Sequence, residues 1–153
     1  MIMLNRFLKF CSLDFRTMLL FTEALFYLGW GRILISVPFA KVAPSLGAQM
    51  EETTMAERDG DKADLLKVRE SIRIMSEHTL WESRCLVRAI AALKMLERRH
   101  ISTTLYLGTA RDESGAMVAH AWLRSGPFYI TGAEGMERFT VVGKFAKDAI
   151  RKK

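Results

Sequence analysis

The spacing of hydrophobic residues changes along this chain, and each spacing predicts a different element. In the first 50 residues apolar side chains recur at helical intervals, which predicts one long helix that Ser12 caps and that ends before Pro38. Other apolar residues fall on the remaining sides of this helix. The pattern predicts burial of one face, and for the second face either further core packing or docking to a protein or the membrane interface.

Helical spacing returns in residues 64–76 and again after Ser83, a residue suited to capping a helix. A stripe of apolar residues predicts the buried face of the second helix. Two basic residues stand at its C-terminal end, where cations complement the negative end of the helix dipole. The stripe consists of Leu86, Ile90, Leu93 and Leu96, and the basic pair is Arg98 and Arg99.

From residue 103 onward apolar and polar residues alternate, as in strands with one buried face. Strands are predicted at 103–109, 116–124 and 128–131, joined by the turns RDESG and SGP. The order predicts an α+β fold in which a small antiparallel sheet packs on the preceding helix. We divide the chain into a hydrophobic helical segment at 1–50, a connector at 51–63 and a core at 64–153.

Composition narrows the class of protein. The 153 residues, half of them apolar, suit one folded domain, and the net charge of +6 is spread along the chain without an aromatic–basic stripe, which argues against nucleic acid. Arg16, Glu23 and Arg32 interrupt the hydrophobic segment, so neither a membrane span nor a secretion signal is predicted. Two distant cysteines fit a reducing compartment, and we expect a cytoplasmic protein.

Two residues carry candidate chemistry. Cys85 falls in the first turn of the predicted helix, where unpaired amides and the helix dipole favour a thiolate, although a small buried hydrophobe is the simpler role for a free cysteine. His120 lies in the middle of the strand AHAWL beside Trp122. A thiol at a helix start and an imidazole on a following strand are the components of nucleophilic acyl transfer.

Neither a metal nor a cofactor is predicted, because the histidines and cysteines lack the spacing of known ligand sets. A hairpin centred on Ser125 and Gly126 would place Thr131 opposite His120. That register gives the imidazole a hydroxyl as its cross-strand neighbour.

The segment from WESRCLVRAIAALKMLERRH to AHAWLRSGPFYITGAEGMERFTVV, residues 81–142, resembles the transglutaminase-like cysteine peptidases that remove leader peptides from lasso-peptide precursors. The resemblance implies a transglutaminase- or papain-like core, with Cys85 as nucleophile and His120 as general acid and base. It also implies three partners: the lasso precursor, a separate small leader-recognition protein, and a cyclase that closes the freed core.

One position departs from the pattern of this family, which commonly has an aspartate about a dozen residues after the histidine. Here the chain reads ITGAEG, so Glu134, Thr131 or a backbone carbonyl is left to orient the imidazole. Two other functions stay open: a non-catalytic peptide-binding module with the same fold, and a transglutaminase that passes the acyl group to an amine.

Overall fold

The computed structural model describes residues 1–79 and 84–149, and within them the chain forms five α-helices and a five-stranded antiparallel sheet. The helices are α1 (Ile2–Cys11), α2 (Phe15–Leu34), α3 (Phe39–Leu46), α4 (Lys62–Ser76) and α5 (Cys85–Arg98). The strands are β1 (Ala48–Gln49), β2 (Thr103–Arg111), β3 (Met117–Ser125), β4 (Phe128–Thr131) and β5 (Thr140–Lys147). The predicted α+β class is confirmed, whereas β1 and β5 were not predicted.

The long helix predicted between Ser12 and Pro38 is α2, and two shorter helices, α1 and α3, flank it in the N-terminal hydrophobic segment. α1 ends at Cys11, and Asp14 caps α2 by accepting hydrogen bonds from the amide of Thr17 at 3.2 Å and from its hydroxyl. Ser12 instead donates to the carbonyl of Lys9 at 2.7 Å, so the predicted Ser12 cap is wrong. α2 does end before Pro38, as predicted. No helix in residues 1–79 or 84–149 is long and apolar enough to cross a membrane.

The sheet has the strand order β1-β5-β2-β3-β4, and its two faces have different neighbours. Leu105, Leu123 and Phe145 are paired across β2, β3 and β5 and belong to the core that α5 completes. On the same face of the sheet, Glu97 of α5 forms an ion pair of 3.2 Å with Lys147 of β5. Because side chains alternate along a strand, residues such as Tyr106 project from the opposite face.

α5 is the central helix of the molecule, with α2 and α4 on one side and the sheet on the other. α2 approaches it so closely that a Cβ at Gly31 would lie 3.1 Å from the carbonyl oxygen of Val87. A charged pair joins the two helices as well, since both guanidinium nitrogens of Arg99 donate to the carboxylate of Glu23, at 2.9 and 2.8 Å. Close packing and a bidentate ion pair therefore fix α5 against α2.

The connection from α5 to β2 is a helix-ending motif of the Schellman type. The amide of Ile101 donates to the carbonyl of Leu96, and that of His100 to the carbonyl of Glu97, each at 3.0 Å. The motif needs a left-handed residue, and here that residue is His100 with φ of 57° rather than the usual glycine. The chain thus reverses within four residues and enters the sheet.

A buried arginine holds the predicted connector onto the sheet face opposite α5. The side chain of Arg124 is 1% exposed, and its guanidinium donates to the carbonyls of Thr53, Thr54 and Gly126 at 3.0, 3.2 and 2.7 Å. The hydroxyl of Thr104 accepts a further hydrogen bond from the amide of Thr53 at 2.9 Å. Residues 53 and 54 are therefore tied to the sheet.

Replacement of Arg124 by Met should lower the free energy of unfolding by at least about 3 kcal/mol, because three carbonyl groups lose their donor. Urea denaturation of the full chain measures the effect. Arg111→Met is the matched control, since Arg111 is exposed and should contribute little. A value for Arg124→Met within about 1 kcal/mol of that control would contradict the role assigned to the buried guanidinium.

His100→Gly should raise the free energy of unfolding by about 0.5–1 kcal/mol, because glycine adopts the left-handed conformation without steric cost. Urea denaturation of the full chain measures the effect. Arg69→Gly, at an exposed position within α4, should instead destabilise by about 1 kcal/mol. Equal losses in both variants would contradict the strain at His100.

Candidate functional site

His120 is held in a fixed orientation by two aromatic rings and one hydrogen bond. The centroid of the imidazole lies 5.0 Å from that of Phe139 and 5.7 Å from that of Trp122, and its Nε2 lies 2.8 Å from the carbonyl oxygen of Gly132. A carbonyl can only accept, so Nε2 carries the proton and donates. The neutral ring therefore has its basic lone pair on Nδ1, where a thiol proton could be accepted.

The aromatic support continues away from His120 toward the buried arginine. Trp122 stacks on Tyr106 with centroids 5.6 Å apart and ring planes 13° apart, and the hydroxyl of Tyr106 accepts a hydrogen bond of 2.9 Å from Nε of Arg124. That hydroxyl donates in turn to Glu52. The row Arg124, Tyr106, Trp122 and His120 therefore links the connector to the imidazole.

The two ends of the hydrogen bond between Tyr106 and Glu52 have shifted pKa values. Burial, followed by the bond to Glu52, raises the pKa of the Tyr106 hydroxyl above its ordinary value. The hydrogen bond from Tyr106 lowers the pKa of the Glu52 carboxyl, and nearby Lys144 lowers it further. Tyr106 therefore stays protonated and Glu52 ionised at neutral pH, which keeps the direction of this hydrogen bond constant.

Glycine is required beside the imidazole at two positions. A Cβ at Gly108, which is paired with His120, would lie 2.8 Å from atoms of both Trp122 and Phe139. Gly132 has φ of +72°, and a Cβ there would lie 2.4 Å from the carbonyl oxygen of Ala121. Absence of a side chain at these positions lets the aromatic rings and the Gly132 carbonyl reach the imidazole.

The predicted register of the last hairpin is wrong. β3 and β4 pair Ser125 with Phe128, and a shift between Leu123 and Arg124 then places Thr131 opposite Leu123 rather than His120. β4 ends at Thr131, so in the described sheet β3 has no partner strand on that side from residue 117 to 122. Gly132 crosses this open edge, which explains how its carbonyl reaches His120.

Cys85 is the first residue of α5 and is partly buried against the core. Arg84, in an extended conformation, takes the N-cap position without a side-chain hydrogen bond to the helix, whereas the predicted cap Ser83 lies outside the described residues, as does Trp81. The amide of Arg88 donates to the carbonyl of Arg84 at 3.0 Å, which begins the helical ladder. The backbone amides in the first turn of a helix find no acceptor within the helix, so they can donate to an anion.

Cys85 and His120 start from different sides of the sheet. α5 contacts β3 on the face that carries Ala121 and Leu123, and alternation assigns His120 to the face of Trp122. Within the described residues Cys85 Sγ makes no hydrogen bond to His120. Their pairing stays a prediction, and it requires the two groups to meet at the open edge of β3.

The remaining sequence candidates lie apart from the imidazole. Glu134 is exposed and, in the part of the chain that the structure describes, makes no hydrogen bond or ion pair with His120. The same part contains no group of three His, Cys, Asp or Glu side chains that could hold a metal ion. The first glycine of ITGAEG, Gly132, was the sequence signal for the hydrogen-bond acceptor of His120. Phe139 could not be identified from the sequence because it lies outside the predicted strands.

Comparison with known proteins gives the family. The family model described as the transglutaminase-like superfamily matches residues 33–144, a range that contains both Cys85 and His120. The chain belongs to this superfamily, whose members include cysteine peptidases and transferases. No curated protein and no solved structure matches the chain significantly.

The hydrogen bond to Gly132 makes a prediction about tautomers that the chain can test internally, because it has three histidines. Neutral His120 should carry its proton on Nε2, whereas His78 should carry it on Nδ1, which lies 2.8 Å from the carbonyl oxygen of Ile74. Nitrogen-15 NMR of the full chain distinguishes the two, with signals assigned from His120→Ala and His78→Ala. A proton on Nδ1 of neutral His120 would contradict the orientation described here.

Proposed function

We propose that this protein is a cysteine peptidase that cuts the leader from a lasso-peptide precursor, with Cys85 as nucleophile and His120 as general acid and base. The observation that carries the proposal is the hydrogen bond from His120 Nε2 to Gly132, which directs the basic Nδ1 away from the carbonyl that orients the ring. Membership of the superfamily supports it, as does the likeness of residues 81–142 to the leader peptidases.

The lengths of the elements support a meeting of the two residues. α5 has 14 residues, so it is about 20 Å long. The chain reverses before β2, and the same length along that strand, at about 3.4 Å per residue, ends near residues 108 and 109. Gly108 is paired with His120. The first turn of α5 and the imidazole are therefore expected at a similar level along the sheet, and the open edge of β3 offers a route between its faces.

The proposed reaction follows from these groups. Nδ1 of His120 takes the proton of the Cys85 thiol, and the thiolate attacks the scissile carbonyl, with the oxyanion stabilised by amides at the start of α5. Collapse of the tetrahedral intermediate breaks the C–N bond, and the imidazolium protonates the departing amine. Water then loses a proton to the imidazole and adds to the thioester carbonyl, and cleavage of the C–S bond releases the leader carboxylate and restores the Cys85 thiolate.

Orientation of the imidazole does not need an acid in this arrangement. The third member of a triad chiefly fixes the tautomer and the direction of the ring, and the Gly132 carbonyl can do both. A neutral carbonyl stabilises the imidazolium less than a carboxylate would. We therefore assign the orienting role to Gly132 rather than to Glu134 or Thr131.

The partners follow from the proposed substrate. A separate small leader-recognition protein would present the precursor, and the freed core amine would pass to an ATP-dependent cyclase that joins it to an acidic side chain. All of these proteins would act in the cytoplasm. Hydrolysis distinguishes this function from amine transfer, which would use the same thiol and imidazole, and from a binding module, which would need neither.

Cys85→Ala should reduce formation of trimmed precursor by at least about a thousandfold, because no other group replaces the thiolate. Mass spectrometry of a lasso precursor incubated with the enzyme and a leader-recognition protein measures it. Cys11→Ala should keep full activity, since Cys11 is exposed in α1. Cleavage that survives in Cys85→Ala contradicts the peptidase, and a product that carries an added amine indicates the transferase.

The meeting of the thiol and the imidazole can be tested without substrate. In a Cys11→Ser background, His120→Cys should form a disulfide with Cys85 under mild oxidation, because bridged Cα atoms lie within about 7 Å of each other. Met117→Cys, exposed at the start of β3, should remain a free thiol. Failure of the first variant to bridge while it stays folded would show that positions 85 and 120 do not meet.

A further inference from the structure

The N-terminal helices present apolar side chains to solvent on a scale that the rest of the molecule does not. Of the 20 exposed large hydrophobic residues in the described part of the chain, 14 lie in residues 1–39. A folded protein usually leaves such residues scattered, and a concentrated group marks a surface that something covers. The question is which kind of molecule covers it.

On α2 the exposed apolar residues form one stripe. Apart from Leu25, which lies about 80° to one side, they fall within an arc of roughly 60° that runs the length of the helix, at about 100° per residue. We call these residues, Phe15, Leu19, Phe26, Trp30 and Ile33, the α2 stripe. The opposite face of α2 carries the buried residues Ala24, Leu28 and Gly31 that pack in the core. α2 is therefore apolar on two sides, and only one of them is used by the fold.

α1 also exposes apolar side chains on the side that faces away from the rest of the protein. Met3, Arg6 and Lys9 line a cleft that α1 shares with Phe21 of α2 and with the end of α4. Leu4 and Leu8 do not line that cleft, and they are 60% and 57% exposed. Arg6 and Lys9 thus lie on the side of α1 that borders the cleft, where both stay exposed, and the leucines lie in solvent, where an apolar medium would cover them favourably.

Most of the charges around these side chains are positive. Arg16 and Arg32 are exposed on opposite sides of the α2 stripe, about 40° beyond one edge and about 100° beyond the other. The two carboxylates of residues 1–50 are engaged within the protein: Asp14 caps α2, and Glu23 binds Arg98 and Arg99. Apart from Asp14, which is exposed at the start of α2, the surface therefore offers apolar side chains and cations.

We propose that α1 and α2 rest on an anionic lipid bilayer, with the α2 stripe and the exposed leucines of α1 inserted at the level of the headgroups. An apolar stripe bordered by arginines and containing tryptophan is suited to this interface, because the guanidinium groups reach lipid phosphates while the rings enter the acyl boundary. A second copy would bring Arg16 and Arg32 against the same cations, which opposes self-association. The exposed area also extends over two helices, beyond the seam that one partner helix would cover.

Cosedimentation of the full chain with vesicles tests this proposal. The protein should bind vesicles of equal parts phosphatidylglycerol and phosphatidylcholine, and should bind pure phosphatidylcholine far more weakly. Arg16→Gln combined with Arg32→Gln should weaken binding by about 25-fold, since each cation near an anionic surface contributes about fivefold. Higher salt should weaken the wild type in the same direction.

A second pair of variants tests the contribution of the apolar side chains to vesicle binding. Leu19→Asp with Ile33→Asp, at positions 55% and 59% exposed, should abolish vesicle binding without unfolding the protein, which circular dichroism checks. Met117→Asp with Val142→Asp is the matched control on the sheet, at 68% and 57% exposed, and should bind as the wild type does.

Three outcomes would overturn the proposal. These are no binding to phosphatidylglycerol vesicles, equal binding by the two double aspartate variants, and a dimer in sedimentation velocity that Leu19→Asp with Ile33→Asp dissociates. The last would assign the α2 stripe to a second copy. Absence of both vesicle binding and dimerisation would assign it to a different protein. None of these results depends on Cys85, so they are separable from a failure of the proposed peptidase.

Discussion

A guanidinium buried in the sheet is the interaction on which the site depends. Burial of a cation is costly unless every donor finds an acceptor, and Arg124 meets this condition with three carbonyls and two hydroxyls. Those acceptors come from the connector, the last hairpin and β2. One side chain therefore joins three separate parts of the chain, and the aromatic row that ends at His120 begins on it.

The orientation of the His120 imidazole is determined by packed aromatic rings rather than by a charged third residue. Trp122 is fixed between Tyr106 and His120, and Gly108 leaves room for it because it has no side chain. The imidazole has little freedom to rotate, since Phe139 also packs against it. Its orientation is thus established by the fold, and for the peptidase proposed above a fixed orientation reduces the entropy lost on reaching the reactive geometry.

The sequence predicted the elements well where periodicity was strong. The helix after Cys85 and the strand around His120 lie close to their predicted positions, because each buries a regular set of side chains. The long N-terminal helix predicted before Pro38 is α2, but its cap is Asp14 rather than Ser12, because a local capping hydrogen bond is not revealed by periodicity, and the separate helix α1 was not predicted. β5 was missed because nothing in its short sequence identifies its partner.

The environment of His120 was harder to predict for a related reason. Its acceptor depends on a bulge that shifts β4 by one residue, and a one-residue shift changes every cross-strand neighbour. Its aromatic neighbour Phe139 comes from a loop whose path no local pattern defines. Residue types could therefore suggest a thiol and an imidazole, but the face from which each projects follows from the register alone. For the same reason, the proposed pairing of Cys85 with His120 depends on whether the two groups meet at the open edge of β3.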